Sequence, residues 1–553
     1  MDKYSEDRKG VVRLVSGAEM MVRCLESENV RMAFGYPGAA ICPFYDFLDR
    51  SPIKHILVRQ EQNAAHEASG YARSAGVPGV CVATSGPGAT NLITGVATAY
   101  MDSIPLIVIT GQVNSWLLGR DVFQEADITG ACESFTKHSY LVKDAQEIPR
   151  VFKEAFHIAS TGRPGPVLID VPTDVQNQTV ESFVYPQKAQ IVGYKPRTQG
   201  HAMQVRKAAE AIAKAKRPLL VCGGGVVLAG ARDELISFAE KTKIPVVSTM
   251  MGLGVVPMDS PLYLGMIGMH GHKNANQAMH GADLILLCGA RVGDRAVSDP
   301  HQVSEGSTIV HIDIDPAEIG KNMDVDIPIV GDIRLVLRSL AAETEGTAPA
   351  AWQERVQAEK AAFVPKGEPR EGKGTLEPRS FLRALSAMME DDAILCADVG
   401  QNQIWAANNF NVKEGRFLTS GGLGTMGYAL PAAIGAKLAK PNRQVVCICG
   451  DGSFQMSMCE LATMKRENLS ILIVLMQNDR LGMVWEIQKK KYGRCPATLL
   501  DGNPDFVKLA GAYGIPAAMA EDNAAAERLA RGLLAQGGPA LLVCAVDPDE
   551  PTL

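Results

Sequence analysis

Short apolar runs rich in Val and Ile alternate with Ala-rich amphipathic stretches along most of this chain. That alternation is the signature of strands followed by helices, and it restricts the fold to parallel sheets with helices on their faces. The first block carries "VRMAFGYPG", "KHILVRQ", "GVCVATSGPG" and "PLIVITGQV", and closes near "GPVLIDVP". The stretch "VESFVYPQKAQIVGYKPRTQG" lacks helical periodicity, holds two prolines and reads as a linker. A second block follows with "RPLLVCGGGVV", "KIPVVSTM", "ADLILLCGARV" and "STIVHIDIDP". A polar, Ala/Glu/Gly/Pro-rich stretch from about Glu343 to Pro378 then separates it from a third block containing "DAILCADVG", "GRFLTSGGLGTMGYALPAAIGA" and "GPALLVCAV". A chain of 553 residues exceeds what one core can hold. The expected architecture is α/β, with three doubly wound parallel-sheet domains over residues 1–182, 195–345 and 375–553.

Composition excludes several classes of function. The net charge of −6 is spread thinly with no basic block, which argues against a nucleic-acid partner. No apolar run reaches membrane length, and the polar opening "MDKYSEDRKG" has no apolar core of a secretory signal. The cysteines are scattered without a CxxC; Cys447 and Cys449 alternate in an apparent strand and read as small buried residues. The histidines form no HExxH, and "MHGHK" alone is weak metal-site material. A reducing cytoplasm fits this pattern.

The most informative segment is "GDGSFQMSMCELATMKRENLSILIVLMQND", Gly450 to Asp479, directly after "QVVCIC". A strand, a glycine turn, a helix and a second strand make a βαβ unit, whose two strand ends lie side by side at the carboxyl edge of a parallel sheet. Asp451 and Asn478 stand at those two ends. Their oxygens, with the Arg480 carbonyl one turn onward, are hard donors suited to magnesium. Gly450 and Gly452 allow close backbone approach, and Gly452 and Ser453 open a helix that can receive an anion. A lone Gly-Asp-Gly also suits a plain strand–helix turn with an acidic cap. An internal echo joins "ATSGPGATNLITGVATA" to "LTSGGLGTMGYALPAAIGA"; it reads either as a duplicated domain or as chance similarity of glycine turns.

In the first block, "RQEQNAAHEASGYAR" places Glu61 at a strand end just before a helix. With "GYPGAAICPFYD", "DSIPLIVITGQV", "TGRPGPVLIDVP", "HIDIDPAEIGKN" and "NDRLGMV", these stretches run in order through nearly the whole chain. Together they resemble the thiamine-diphosphate enzymes, and among them the large catalytic subunits of acetolactate synthase. The resemblance implies a pyrimidine-binding first domain, a central domain and a diphosphate-binding third domain. It also implies transfer of a two-carbon unit from pyruvate to a second 2-keto acid, pyruvate or 2-oxobutyrate, in branched-chain amino acid biosynthesis. A near rival within the superfamily is a catabolic acetolactate synthase, a pyruvate oxidase or a 2-keto acid decarboxylase. A rival of another class is a non-catalytic flavoprotein or assembly partner that keeps the fold.

The same resemblance implies the site residues. Glu61 contacts the pyrimidine nitrogen N1′, and Met426 in "GGLGTMGY" supports the bend of the cofactor. Tyr36, Pro37, Gly38, Thr84 and Asn91 belong to the pyrimidine side. Val399, Gly400, Gln401, Asn402, Gly424, Gly450, Gly452, Ser453, Met483 and Val484 surround the rest of the cofactor, with magnesium on Asp451, Asn478 and Arg480. Gln124 in "DVFQEAD" lines the pocket, with Lys137 nearby. The pyrimidine and diphosphate sides come from different subunits in such enzymes, so a homodimer or tetramer is implied, with a regulatory small subunit as a further partner.

An FAD in the central domain is implied by Gly223, Gly224, Gly225, Met269, His270, Arg291, Arg295, Asp313 and Asp332, with Arg163 from the first block. Departures from the usual pattern stand at Val292-Gly293, at Asn114-Ser115-Trp116 and at Thr173. Ile487 takes a position where relatives place Trp, while Trp485 lies two residues earlier. These changes leave the magnesium residues intact and bear on acceptor preference.

Overall fold

Six apolar runs of the first block form a parallel sheet: β1 (Met32–Gly35), β2 (Lys54–Leu57), β3 (Gly79–Ala83), β4 (Leu106–Gln112), β5 (His138–Leu141) and β6 (Val167–Pro172). Its order is β2-β1-β3-β4-β6-β5. Every residue of β3, β4 and β6 is buried, as strands covered on both faces must be. In this computed structural model residues 14–364 and 366–553 are described, so the opening segment "MDKYSEDRKG" lies outside the described residues.

The second sheet comprises β7 (Pro218–Cys222), β8 (Val246–Ser248), β9 (Tyr263–Met266), β10 (Leu284–Cys288), β11 (Thr308–Asp313) and β12 (Ile327–Val330), in the order β9-β8-β7-β10-β11-β12. The third comprises β13 (Ile394–Ala397), β14 (Arg416–Leu418), β15 (Val445–Gly450), β16 (Ile471–Gln477), β17 (Ala517–Ala520) and β18 (Ala540–Ala545), in the order β14-β13-β15-β16-β18-β17. All of their pairings are parallel. Period-two alternation sends Val446 and Ile448 of β15 into one core and Val445, Cys447 and Cys449 into the core on the other face. The two cysteines are thus packing residues, as their spacing predicts.

The chain divides into two compact units. One takes the described residues up to Ser69 with Val77–Tyr194, and the other takes Gly70–Gly76 with Lys195–Leu553. The second unit therefore carries both the second and the third sheet.

Residues 181–200 contain no helix or strand, in keeping with a linker. The stretch read as a second linker is different. A helix spans Ala350–Ala361 and buries Trp352 and Val356, spaced four apart on one face, while the Trp352 indole donates to Pro218 O at 2.9 Å. Two apolar residues were enough to seat a helix that a polar composition conceals. Among the described residues no helix is long and apolar enough to cross a membrane.

The first and third sheets share one strand order, each starting second from an edge, stepping outward and then crossing back. The sequence echo does not mark that equivalence. Thr84-Ser85-Gly86 follows the third strand of its sheet in chain order, whereas Thr419-Ser420-Gly421 follows the second. The likeness of the two sheets is topological, and the shared Thr-Ser-Gly turns occupy different places in it.

Candidate cofactor site

In the first unit, the carboxyl edge of the sheet gathers most of the expected residues. Glu61 opens helix α1 (Glu61–Ala75) just past β2, and Asn91 on helix α2 (Pro87–Met101) donates its amide to Glu61 Oε2 at 3.0 Å. Tyr36, Pro37 and Gly38 follow β1, and the Tyr36 N–H donates to Val82 O at 3.2 Å. Thr84 follows β3, and its hydroxyl accepts from the Ala40 N–H at 3.2 Å. Gln124 comes to the same edge by a strained route. It has φ of 60°, and a Cβ placed on Gly86, itself at φ 57°, would lie 3.0 Å from Gln124 Cα. Only glycine at position 86 leaves room for this loop.

Lys137 is placed elsewhere. It stands before β5, at the amino edge, where its N–H donates to Pro166 O at 2.8 Å. Its ammonium is taken up by the carbonyls of Ile158 and Thr161 and by the Tyr194 hydroxyl. This corrects the expectation of a lysine near Gln124: strand direction carries it to the opposite edge, where a helix end offers free carbonyls. Arg163 lies at the same amino edge, with Nε donating to Ser103 Oγ at 2.8 Å.

In the second unit, the third sheet reverses direction at β13 and β15, and a crevice outside the carboxyl ends of two such strands is where α/β sheets bind ligands. From β13 come Val399, Gly400 and helix α3 (Gln401–Asn409); from β15 comes α4 (Asp451–Gln455). Asp451 is 2 % exposed. Its Oδ2 accepts from the Asp479 N–H at 2.7 Å and from Asn503 Nδ2 at 2.9 Å, and its Oδ1 from the Gly452 N–H at 3.0 Å. Burial pushes its carboxyl up to about 6 against the pull of those donors, the imbalance that a bound cation would relieve.

Asn478, at the end of β16, gives its amide N–H to Gln401 Oε1 at 3.1 Å, while its Oδ1 accepts from the Arg480 N–H at 3.2 Å. The Arg480 guanidinium reaches Asp549 at 2.9 Å; a guanidinium has no lone pair to give a metal, so the donor Arg480 can offer is its backbone carbonyl. Ser453 closes on Gly450, its Oγ accepting that residue's N–H at 3.2 Å. A side chain on Gly482, at the start of helix α5 (Gly482–Tyr492), would collide with Gln401 Oε1, so glycine is needed there for the Gln401–Asn478 bond.

Met426 lies in the loop after β14, its methyl 3.6 Å from where a Cβ on Gly452 would stand; Gly424 turns the same loop at φ 74°. Met483 and Val484 begin α5, and Val484 and Ile487 share an exposed face. Asn503 escapes sequence reasoning. "DGNPDF" reads as an ordinary turn, and nothing local shows that its amide reaches back to Asp451.

The second sheet counts 3-2-1-4-5-6 in chain order, the order of dinucleotide-binding sheets, with its reversal at β7 and β10. Gly223, Gly224 and Gly225 follow β7, and the Gly225 N–H donates to Gly289 O at 2.9 Å beyond β10. His270 is half-buried, and its Nδ1 is buried with no hydrogen-bond partner. Met269 Sδ accepts from Arg295 at 3.3 Å. Asp313 ends β11, and its Oδ1 accepts from the Asp315 N–H at 2.9 Å. Asp332 caps the helix Ile333–Glu343, accepting from Leu335 N–H at 3.1 Å. Arg291 follows β10.

The chain matches three thiamine pyrophosphate enzyme domains: the N-terminal TPP binding domain over residues 15–131, the central domain over 205–340 and the C-terminal TPP binding domain over 398–544. It is 47% identical over 524 residues to the acetolactate synthase large subunit of Corynebacterium glutamicum, covering 92% of this chain and 83% of that protein. It is 43% identical over 514 residues to the acetolactate synthase isozyme 3 large subunit of Escherichia coli, covering 91% and 89%. With the acetolactate synthase of Arthrospira platensis it shares 43% over 571 residues, covering 99% and 96%. A match of this reach, on a chain that sets a buried Asp-Asn pair at one sheet edge and a glutamate at another, places it in the acetolactate synthase large-subunit family of thiamine-diphosphate enzymes.

Proposed function

We propose that this acetolactate synthase decarboxylates pyruvate and joins the two-carbon unit to a second 2-keto acid, with Glu61 moving the proton and Asp451, Asn478 and the Arg480 carbonyl holding magnesium. The observation that carries the reading is the buried Asp451 carboxylate beside Asn478, at the point where the third sheet reverses. Two side-chain oxygens and a carbonyl are a hard donor set that fits a magnesium–diphosphate group. When bound, thiamine diphosphate supplies a thiazolium that serves as the electron sink for decarboxylation.

The remaining work falls to the chain. Asn91 fixes one Glu61 oxygen, leaving the other free to share a proton with the pyrimidine nitrogen N1′. Met426 would pack against the bound cofactor, and Gln124 would line the pocket. Tyr36, Pro37, Gly38 and Thr84 build the pyrimidine side; Val399, Gly400, Gln401, Asn402, Gly424, Ser453, Met483 and Val484 build the rest.

The second sheet fits FAD. Its reversal point carries the glycine turn, and the unpaired His270 Nδ1 offers a site for a ligand donor. A homodimer supplies each pyrimidine half-site with a diphosphate half-site. Large apolar side chains exposed beside both favour this, Phe123 at 87% next to Gln124 and Ile487 at 56% on α5. A cytoplasmic setting suits the free cysteines, and a small subunit suits a chain whose relatives are named large subunits.

Pyruvate turnover measured with and without thiamine diphosphate, Mg²⁺ and FAD tests the reading. The expected product is 2-acetolactate, formed only when thiamine diphosphate and Mg²⁺ are both present. Acetaldehyde or acetate as the sole product would assign a decarboxylase or an oxidase instead.

A further inference from the structure

Asp398 is the residue after β13, it is 1 % exposed, and its hydrogen-bond partners are backbone N–H groups from two loops. Oδ1 accepts from the Val399 N–H at 2.9 Å and the Gly427 N–H at 2.9 Å, and Oδ2 accepts from the Ala429 N–H at 2.9 Å. Val399 begins the segment that continues into Gln401 and Asn402, and Gly427 directly follows Met426. One carboxylate therefore joins the diphosphate-side segment to the loop that carries Met426.

The other flank of Met426 is tied as well. The Thr425 N–H donates to Ser420 Oγ at 3.0 Å, and at the base of the loop the Thr419 hydroxyl donates to Ala397 O at 2.7 Å. Met426 is thus held from both sides in a loop of four glycines, of which Gly424 and Gly427 take positive φ. A free loop of that composition would sample many conformations.

Topology alone does not require the carboxylate. The first sheet has the same strand order, and the position after its corresponding strand β1 is Tyr36. Burying an anion among N–H dipoles is costly unless every lone pair is used, so its presence in only one of the two sheets calls for a cause in that sheet.

We propose that Asp398 is a positioning residue: it anchors the loop at Gly427 and Ala429, directly after Met426, so that Met426 is held at a fixed distance from the diphosphate-side segment. This rests on the reading of Met426 as the residue beneath the bent cofactor. The Asp398 carboxylate oxygens are engaged by three backbone N–H groups, so its effect is exerted through the loop.

The test uses the full chain. In the parent, hydrogen exchange at the Gly427 and Ala429 amides is expected to be the slowest in the loop 420–429; fast exchange there overturns the proposal without any variant. Asp398→Asn puts an amide donor where an acceptor stood. It is expected to lose that protection in the cofactor-free protein and to lower kcat about 10²-fold, the cost of a misplacement near 1 Å, with KM for pyruvate nearly unchanged. Retained protection, an unchanged kcat, or a loss confined to KM overturns it. Met426→Ala is the control for the underlying reading. If that variant keeps the parent kcat, the role of Met426 fails and the proposal falls with it, even where the Asp398 anchor is seen by exchange.

Discussion

Asn503 donates one amide group to two carboxylates, Asp451 Oδ2 at 2.9 Å and Asp479 Oδ1 at 2.7 Å, while its own oxygen accepts from Gln455 Nε2 at 2.7 Å. It fixes the rotamer of the proposed metal ligand from outside the site. Partners of this kind commonly account for 10–100-fold in metal affinity. Asn503→Ala is therefore expected to weaken Mg²⁺-dependent thiamine diphosphate binding by about that factor, read by titration calorimetry. Asp451→Ala should abolish the binding. Parent-like affinity in Asn503→Ala would mean that Asp451 needs no outside support.

Trp485 stands two residues before Ile487 but is held away from the acceptor question. Its ring lies between the Arg480 guanidinium, 4.7 Å from the centroid, and the Lys489 ammonium at 4.1 Å. Two such contacts hold it on its own side of α5, away from Ile487. It is therefore not expected to replace the aromatic wall that the resemblance puts at position 487. An isoleucine there offers less flat surface, and one methylene in such a pocket is worth about 1–3 kcal/mol. The parent should show only a weak preference for 2-oxobutyrate over pyruvate in a competition at equal concentration, scored as product ratio. Trp485→Ala should leave that ratio unchanged and Ile487→Trp should move it toward 2-oxobutyrate. A strong parental preference lost in Trp485→Ala would reverse the assignment.

Asp170, in β6, is buried among Thr110 Oγ1 at 2.7 Å and Gln112 Nε2 at 3.0 Å. Burial pushes its carboxyl from 3.8 up to about 7, against the pull of those two donors. A raised carboxyl holds its proton in the folded chain after the unfolded chain has lost it. Its stabilising contribution is thus complete below pH 3.8 and disappears as pH rises through about 7. The difference is worth roughly 4 kcal/mol. Protection of the β4 and β6 amides, corrected for intrinsic exchange, should fall over that window in the parent and much less in Asp170→Asn. Equal pH dependence in both proteins would show that Asp170 does not titrate there.

Much of this molecule is legible in its sequence because buried parallel strands are short, apolar and β-branched. The runs at "VVCICG" and "ILIVLMQ" became adjacent strands in register, and that adjacency alone brings Asp451 beside Asn478. What the sequence hides depends on contacts between distant segments. Asn503 lies 24 residues beyond Asp479 in a common turn, and Asp398 looks like any strand-end acid until the Gly427 loop folds over it. Lys137 shows a different limit. Matching a motif fixes position along the chain, but strand direction decides the sheet edge, and local carbonyls decide where a flexible ammonium ends. The helix Ala350–Ala361 was hidden because two buried residues are too few to impress a period on its composition.

In the proposed reaction Glu61 moves the proton, poised by Asn91 at 3.0 Å. The most direct measurement is hydrogen–deuterium exchange at C2 of thiamine diphosphate bound to the parent and to Glu61→Gln, with Mg²⁺ present. The amide can still accept and donate a hydrogen bond but cannot relay a proton. Unchanged cofactor binding and an exchange rate lowered by roughly 10²–10⁴-fold are expected in the variant. Exchange as fast as in the parent would contradict that role of Glu61.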